Sequence, residues 1–324
     1  MTTEDDPLVR KEDTLKDYSP VVSFNITGRM LEGKWISCIE PNYKGNTWIA
    51  SGKELYYKNG SEEKTYTLDF PILDFSIAGD ETLWIGTKDG GLGHLTKNGI
   101  TWYTKANSGL PRDYIGNVEV GLDGRVWFSS GAHDYGGLVV YDGKKFYLFT
   151  PDNSMLNQHV IADIGIDHDG SIYIITTGKV GKTNVYRISD NSWECLGNDD
   201  GNFYWVTVFT VGPTGIIYLL EDFGLSSSSS NSNTLFEFRD NDWKKLEADF
   251  MLTFFTAIKA DRRNYCWAAN IEDNSYALHV YNGNSWEEPL EELFLGDKIT
   301  TIETDNDNNI WIGTTQNGVF ILKQ

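Results

Sequence analysis

The chain has 324 residues, with 27 Lys and Arg against 47 Asp and Glu, giving a formal net charge of −20. This length buries a sizeable core in one or two domains. The acidity excludes a phosphate-backbone partner and disfavours an anionic membrane surface, both of which call for a basic face.

Taken in chain order, residues 1–20 (MTTEDDPLVRKEDTLKDYSP) are charged and lack the apolar stretch of a secretory signal; a polar leader outside the fold is expected. Val21 to Thr27 is strand-like. From there one unit recurs: an apolar strand, a polar turn, then a strand with an aromatic at its second or third position. These anchors are Trp48, Trp84, Trp127, Tyr173, Tyr218, Trp267 and Trp311, separated by 36, 43, 46, 45, 49 and 44 residues, the size of a four-stranded propeller blade. Six units continue into a hairpin marked by Asn59-Gly60, Asn98-Gly99, Asp142-Gly143, Asp190-Asn191, Asp240-Asn241 or Asn282-Gly283. Asn-Gly and Asp-Gly tolerate positive φ at both central positions, and Asn alone also visits the left-handed region. Innermost strands such as Gly116–Val120, Ala162–Ile166 and Thr300–Thr304 hold small residues suited to crowding at an axis. After Trp311 only Val319–Lys323 follows, so the seventh unit lacks its outer strand, and Val21–Thr27 is expected to supply it. The fold class expected is all-β: a seven-bladed β-propeller of four-stranded blades over residues 21–324, closed by the N-terminal strand. Helix is expected nowhere beyond one turn at Leu290–Leu295. The uncharged run Asn202–Leu220 contains Gly212-Pro213-Thr214-Gly215 and reads as two strands rather than a membrane span.

Leu83-Trp84-Ile85-Gly86-Thr87 with Gly90-Gly91-Leu92, and Ile310-Trp311-Ile312-Gly313-Thr314 with Gly318-Val319, resemble the two-component regulator propeller repeat. Val126-Trp127-Phe128-Ser129-Ser130 and Thr47-Trp48-Ile49-Ala50-Ser51 are looser copies, while the units at Tyr173, Tyr218 and Trp267 keep the aromatic and lose Gly-Thr. The resemblance implies a sensor-type ring of the kind found in the periplasmic part of bacterial hybrid histidine kinases. It therefore implies an extracytoplasmic location, periplasmic or as a surface lipoprotein with its signal removed; the residues themselves fit a cytoplasmic protein equally. No kinase or DNA-binding region is expected within these 324 residues.

In such a ring the blade-to-blade connections and the loops between second and third strands share one face, and loops carry function more often than core strands. The residues expected there as a ligand surface are Trp35, Arg112, Tyr114, His133, Tyr135, His159, Tyr204, Trp205, Phe223, Phe255 and Glu272. Aromatic faces stack on sugar rings or grip a partner's apolar anchors, and charged groups orient hydroxyls or carboxylates. The function expected is non-catalytic recognition of a small ligand, plausibly a carbohydrate fragment, by a monomer; the alternatives are a protein-docking scaffold and a metal-dependent lyase or hydrolase. The last rests on a weaker resemblance to streptogramin lyases, for which His133, His279 and Glu272 would be the groups. No cofactor is expected. Asp167-His168-Asp169-Gly170 and Asp305-Asn306-Asp307-Asn308-Asn309 raise a structural calcium ion, but lack the distal Glu of a calcium loop and read as turns. Cys38, Cys195 and Cys266 match no zinc spacing, and the five histidines share none either.

Overall fold

The structure, a computed structural model, describes residues 24–42, 44–132, 135–178, 182–197, 203–204, 206–221, 234–247, 255–272, 275–289 and 297–323. Seven antiparallel sheets form around an axis. The innermost strands of blades one to seven are Cys38–Pro41, Ile72–Ile77, Ile115–Val120, Val160–Ile166, Val206–Val211, Ala257–Ala260 and Ile299–Thr304. The strands next to them are Thr47–Ser51, Leu83–Thr87, Val126–Ala132, Ile172–Thr177, Ile217–Glu221, Cys266–Glu272 and Ile310–Thr314. Every aromatic anchor is the second residue of one of these. Six of the seven anchors are buried (Trp311 is half-buried), so the aromatics that recur with the blade period serve packing.

The ring closes as the sequence implies, with a shifted boundary. The outer strand of blade seven is Asn25–Met30, pairing antiparallel with Val319–Lys323 from Asn25↔Lys323 to Met30↔Val319. Leu290–Leu295 lies outside the described residues. The helical turn that is described, Lys105–Ser108, was not legible as a helix. It is held by the Asn107 side chain accepting from the Thr104 N–H at 2.7 Å, and it ends at Gly109 with φ 79°.

The hairpin turns fall differently from the dipeptide reading. The two without glycine are the ones with positive φ at both central residues: Asp190 and Asn191 (51° and 61°), and Asp240 and Asn241 (54° and 61°). Asn59 instead pairs with Glu62, so the loop is Gly60-Ser61 with Gly60 alone at positive φ. Asp142-Gly143 and Asn282-Gly283 open four-residue loops, as Tyr141↔Phe146 and Tyr281↔Trp286 show.

Neighbouring blades meet through their first and second strands. Trp84 and Leu92 of blade two pack with Ile115, Val118, Val126 and Phe128 of blade three. The glycine of the Trp-Ile-Gly-Thr motif makes this approach possible: a Cβ on Gly86 would lie 2.9 Å from both the Ile115 carbonyl oxygen and Val118 Cγ2, and one on Gly313 would lie 2.7–2.8 Å from Thr301 and Ile36 side chains. The motif threonine then seals the next loop, with Thr87 Oγ1 donating to Gly91 O at 2.8 Å and Thr314 Oγ1 to Gly318 O at 3.0 Å.

The acidic turns are internal latches. Asp305 accepts from the Asp307 and Asn309 N–H groups, while its other oxygen takes the Trp311 indole N–H at 3.0 Å. Asp261 does the same with Arg263, Tyr265 and Trp267, and Asp167 with Ser171 and the Tyr173 hydroxyl.

Candidate functional site

Because adjacent strands run antiparallel, the loops joining second to third strands and the connections between blades emerge together, opposite the remaining turns. On that face a groove of about 350 Å³ lies between blades two and three, lined by Asp89, Lys105, Arg112, Asp113, Tyr114, Gly131 and Tyr135. Asp89 comes from the loop of blade two, and Lys105 from the helical turn. Arg112, Asp113 and Tyr114 come from the connection into blade three; Gly131 and Tyr135 flank the loop of blade three.

Local sequence explains the placement. Gly91 has φ 82°, and its N–H donates to the Asp113 carbonyl at 2.9 Å; Gly131 has φ 96°, and its N–H donates to the Tyr114 carbonyl at 2.9 Å. The connection is thus stitched to both loops by backbone hydrogen bonds. Gly136 (φ 124°) stands where a Cβ would lie 1.9 Å from Ser130 O, so only glycine lets the strand turn tightly enough to present Tyr135. Ser130 fixes Arg112 twice, accepting from its N–H at 3.3 Å and donating to its carbonyl at 3.0 Å. The guanidinium lies over the Tyr135 ring, 5.3 Å from the centroid. Tyr135 and Tyr114 are 67% and 38% exposed. Asp113 Oδ1 accepts the Lys105 N–H at 2.6 Å, tying the helical turn to the groove floor.

The structure brings Arg112, Tyr114 and Tyr135 together. His159 is adjacent, its Nδ1 3.1 Å from the Gly136 carbonyl behind Tyr135. Trp35 is 65% exposed but belongs to the connection into blade one and does not line the groove. Phe255, only 8% exposed, packs with Leu246, Ile258 and Tyr281 in the core between blades five and six; it serves packing there rather than a surface. His133, Trp205 and Phe223 lie outside the described residues, as do the side chains of Tyr204 and Glu272. His279 does not reach the loop face: it is fully buried midway along Ser275–Tyr281, with its ring edge-on to Trp286. Asp89, Lys105, Asp113 and Gly131 also line the groove and are absent from the expected ligand surface; for Lys105 and Asp113 the polar pair bracketing the Gly109-Leu110-Pro111 turn was the available signal.

A second constellation surrounds the axis. The residue cross-strand from each anchor forms a layer of Glu40, Ser76, Glu119, Gly165, Thr210, Lys259 and Glu303. Cys38, Asp74, Asn117 and Asp163 lie beside it. The innermost strands share no ladder, so side chains link them. Glu40 accepts the Ile77 N–H at 3.1 Å, Asp74 the Val118 N–H at 2.8 Å, Ser76 the Val120 N–H at 3.2 Å and Thr210 the Ala260 N–H at 2.9 Å. Burial raises Asp74 to about 8 and Asp163 to about 7, with neighbouring acids adding to it, and pushes Glu40 well above the usual carboxylate range. Lys259 answers this charge through Glu303 at 2.6 Å. Cys38 donates to Asp74 at 3.4 Å, and burial raises its thiol, which opposes thiolate chemistry.

These features define a seven-bladed propeller with a polar, aromatic-walled groove on its loop face. Residues 294–316 match the two component regulator propeller family, so the chain carries that repeat, in its seventh blade, as the motif implied. A comparison with curated proteins gives no match. Among solved structures, virginiamycin B lyase from Staphylococcus aureus is similar at 15% identity and TM-score 0.71, over 93% of this chain and 99% of that one. The extracellular domain of the putative one component system BT4673 from B. thetaiotaomicron is similar at 19% identity and TM-score 0.65, over 92% of this chain and 39% of that one. YCF48 bound to D1 peptide is similar at 13% identity and TM-score 0.64. At these identities the likeness is one of fold.

Proposed function

We propose that the protein is a sensor-type, non-catalytic propeller that binds a carbohydrate fragment in the groove between blades two and three, outside the cytoplasm. The observation that carries this reading is the pairing of two solvent-facing tyrosines with an arginine whose backbone is locked by Ser130. Flat aromatic faces held at a groove wall match the apolar faces of pyranose rings, and the surrounding Asp89, Asp113 and Lys105 offer acceptors and donors to hydroxyls. The regulator-propeller repeat and the likeness to an extracellular domain support the sensor role and the location.

Calorimetric titration against a panel of oligosaccharides tests it. A binder is expected whose affinity drops at least about tenfold in Tyr135→Ala, the loss of one stacked ring face. A binder unaffected by Tyr135→Ala and Tyr114→Ala places the site elsewhere. Protein docking is the second reading, supported by the similar ring of YCF48 with its bound peptide; a stoichiometric protein partner without small-ligand binding would favour it.

A further inference from the structure

Building on the ligand-binding reading of the groove, we infer that its ligand is a carboxylate-bearing sugar: a short oligosaccharide containing uronic acid. The chain is strongly acidic, and four of its described arginines, at positions 125, 187, 239 and 263, are each held by a carboxylate. Arg29 instead lies over the Phe320 ring on the outer strand of blade seven; Arg112 likewise stands outside that set. Its guanidinium stands over Tyr135 at the groove wall, with no ion pair among the described residues. Lys105 lines the same groove and has no ion pair among them either.

The acids of the lining are Asp89 and Asp113, the latter accepting the Lys105 backbone N–H on Oδ1 at 2.6 Å, and neither forms an ion pair with Arg112 or Lys105 among the described residues. A planar guanidinium, carried on a backbone held by Ser130 and lying over the Tyr135 ring, is the group that recognises a carboxylate by paired N–H donors. Tyr135 and Tyr114 beside it supply the stacking surface for the ring that carries the carboxylate, and Asp89 accepts from hydroxyls on the opposite side. A neutral sugar would use the tyrosines and give the cations only hydroxyl acceptors, without a charge partner; a bare carboxylate would use the cations and leave the tyrosines idle. Only the combination uses the whole groove.

The test compares three probes by calorimetry on the full chain: trigalacturonate, its carboxyl-reduced neutral form, and free acetate. Trigalacturonate is expected to bind at least about tenfold more tightly than the reduced form, the scale of a charge-assisted hydrogen-bonded pair, with acetate negligible and the affinity falling as salt rises. In Arg112→Ala the gap between the first two probes should close, while Arg112→Lys should retain part of it. Tyr135→Ala should weaken both sugars alike. Equal binding of the acidic and reduced sugars, or an unchanged gap in Arg112→Ala, overturns the acidic-sugar assignment; loss of that equal binding in Tyr135→Ala leaves the carbohydrate reading standing. Binding of acetate as tight as that of trigalacturonate identifies a carboxylate site without sugar recognition and overturns it. No binding by any of the three overturns this inference, whereas failure of the whole oligosaccharide panel removes the reading beneath it.

Discussion

At Trp127 the indole N–H is buried without an acceptor among the described residues, whereas Trp267 and Trp311 donate to the aspartates six positions earlier. The residue six positions before Trp127 is Gly121. A Cβ there would lie 3.4 Å from the indole nitrogen and 2.9 Å from a carboxylate oxygen of the exposed Asp123. Gly121→Asn therefore supplies the missing acceptor once Asp123 swings outward. A gain of about 1 kcal/mol is expected, read as a higher urea midpoint at unchanged slope; a midpoint at or below the parent's rejects the latch argument. The converse is Asp261→Ala. It removes the buried partner of Arg263 at 2.6 Å together with the acceptor for Trp267, with an expected loss of about 3–5 kcal/mol, and Asp261→Asn should recover part of that.

Between elements, the decisive contacts are those of one blade's second strand with the next blade's first. Gly86→Ala forces a methyl group against the Ile115 carbonyl, which is backbone and yields only if blade three moves. A loss of about 1–3 kcal/mol is expected, measured by chemical denaturation, against an effect near zero for Gly60→Ala at an open turn if the sterics alone counted. Gly60 has φ 56°, so Ala there should instead cost about 1 kcal/mol through backbone strain. Element by element, what was legible in the sequence was local. The aromatic anchors recur because each blade repeats one packing environment, and the turns announce themselves by residues that accept positive φ. Which two residues occupy a turn was not legible at Asn59-Gly60, because cross-strand pairing sets the register and the dipeptide only tolerates it. Arg112, Tyr114 and Tyr135 were readable as loop residues, but their convergence needed the Gly91 and Gly131 backbone links, which join segments distant in sequence. Phe255 was misplaced for the same reason: a loop-like position says nothing about which side chain turns inward.

For the whole molecule, the axial carboxylates set how stability responds to pH. Asp74 and Asp163 sit at about 8 and about 7 in the fold, against ordinary values near 4 in the unfolded chain. Between those limits the native state holds protons that the unfolded state has released, so the contribution of these two groups is fullest at and below about pH 4 and is lost as pH rises to about 8. Asp297 runs the other way. Burial would raise it, but hydrogen bonds from Thr315, Thr314, Asn317 and Gln316 win and lower it, so its contribution holds above pH 4 and fades as the solution becomes more acidic. Asp74→Asn keeps an acceptor for the Val118 N–H and removes the charge; urea midpoints from pH 4.5 to 8.5 should decline less steeply than in the parent, and an identical slope would refute the assignment. These axial acids escaped the sequence reading although they stand cross-strand from the anchors or two residues away. In an isolated strand Glu40 or Asp74 is indistinguishable from a solvated residue, and only ring closure brings like charges together.

The pairing of Asn25 with Lys323 places the first and last described strands edge to edge on the rim. Third strands run from the loop face to the opposite face, so Val319–Lys323 finishes on the side away from Tyr135 and Asn25 begins there. A linker, fluorophore or biosensor surface attached directly beside Asn25 or Lys323 would therefore hold the ring with its groove turned outward, and would leave the approach of ligand unobstructed.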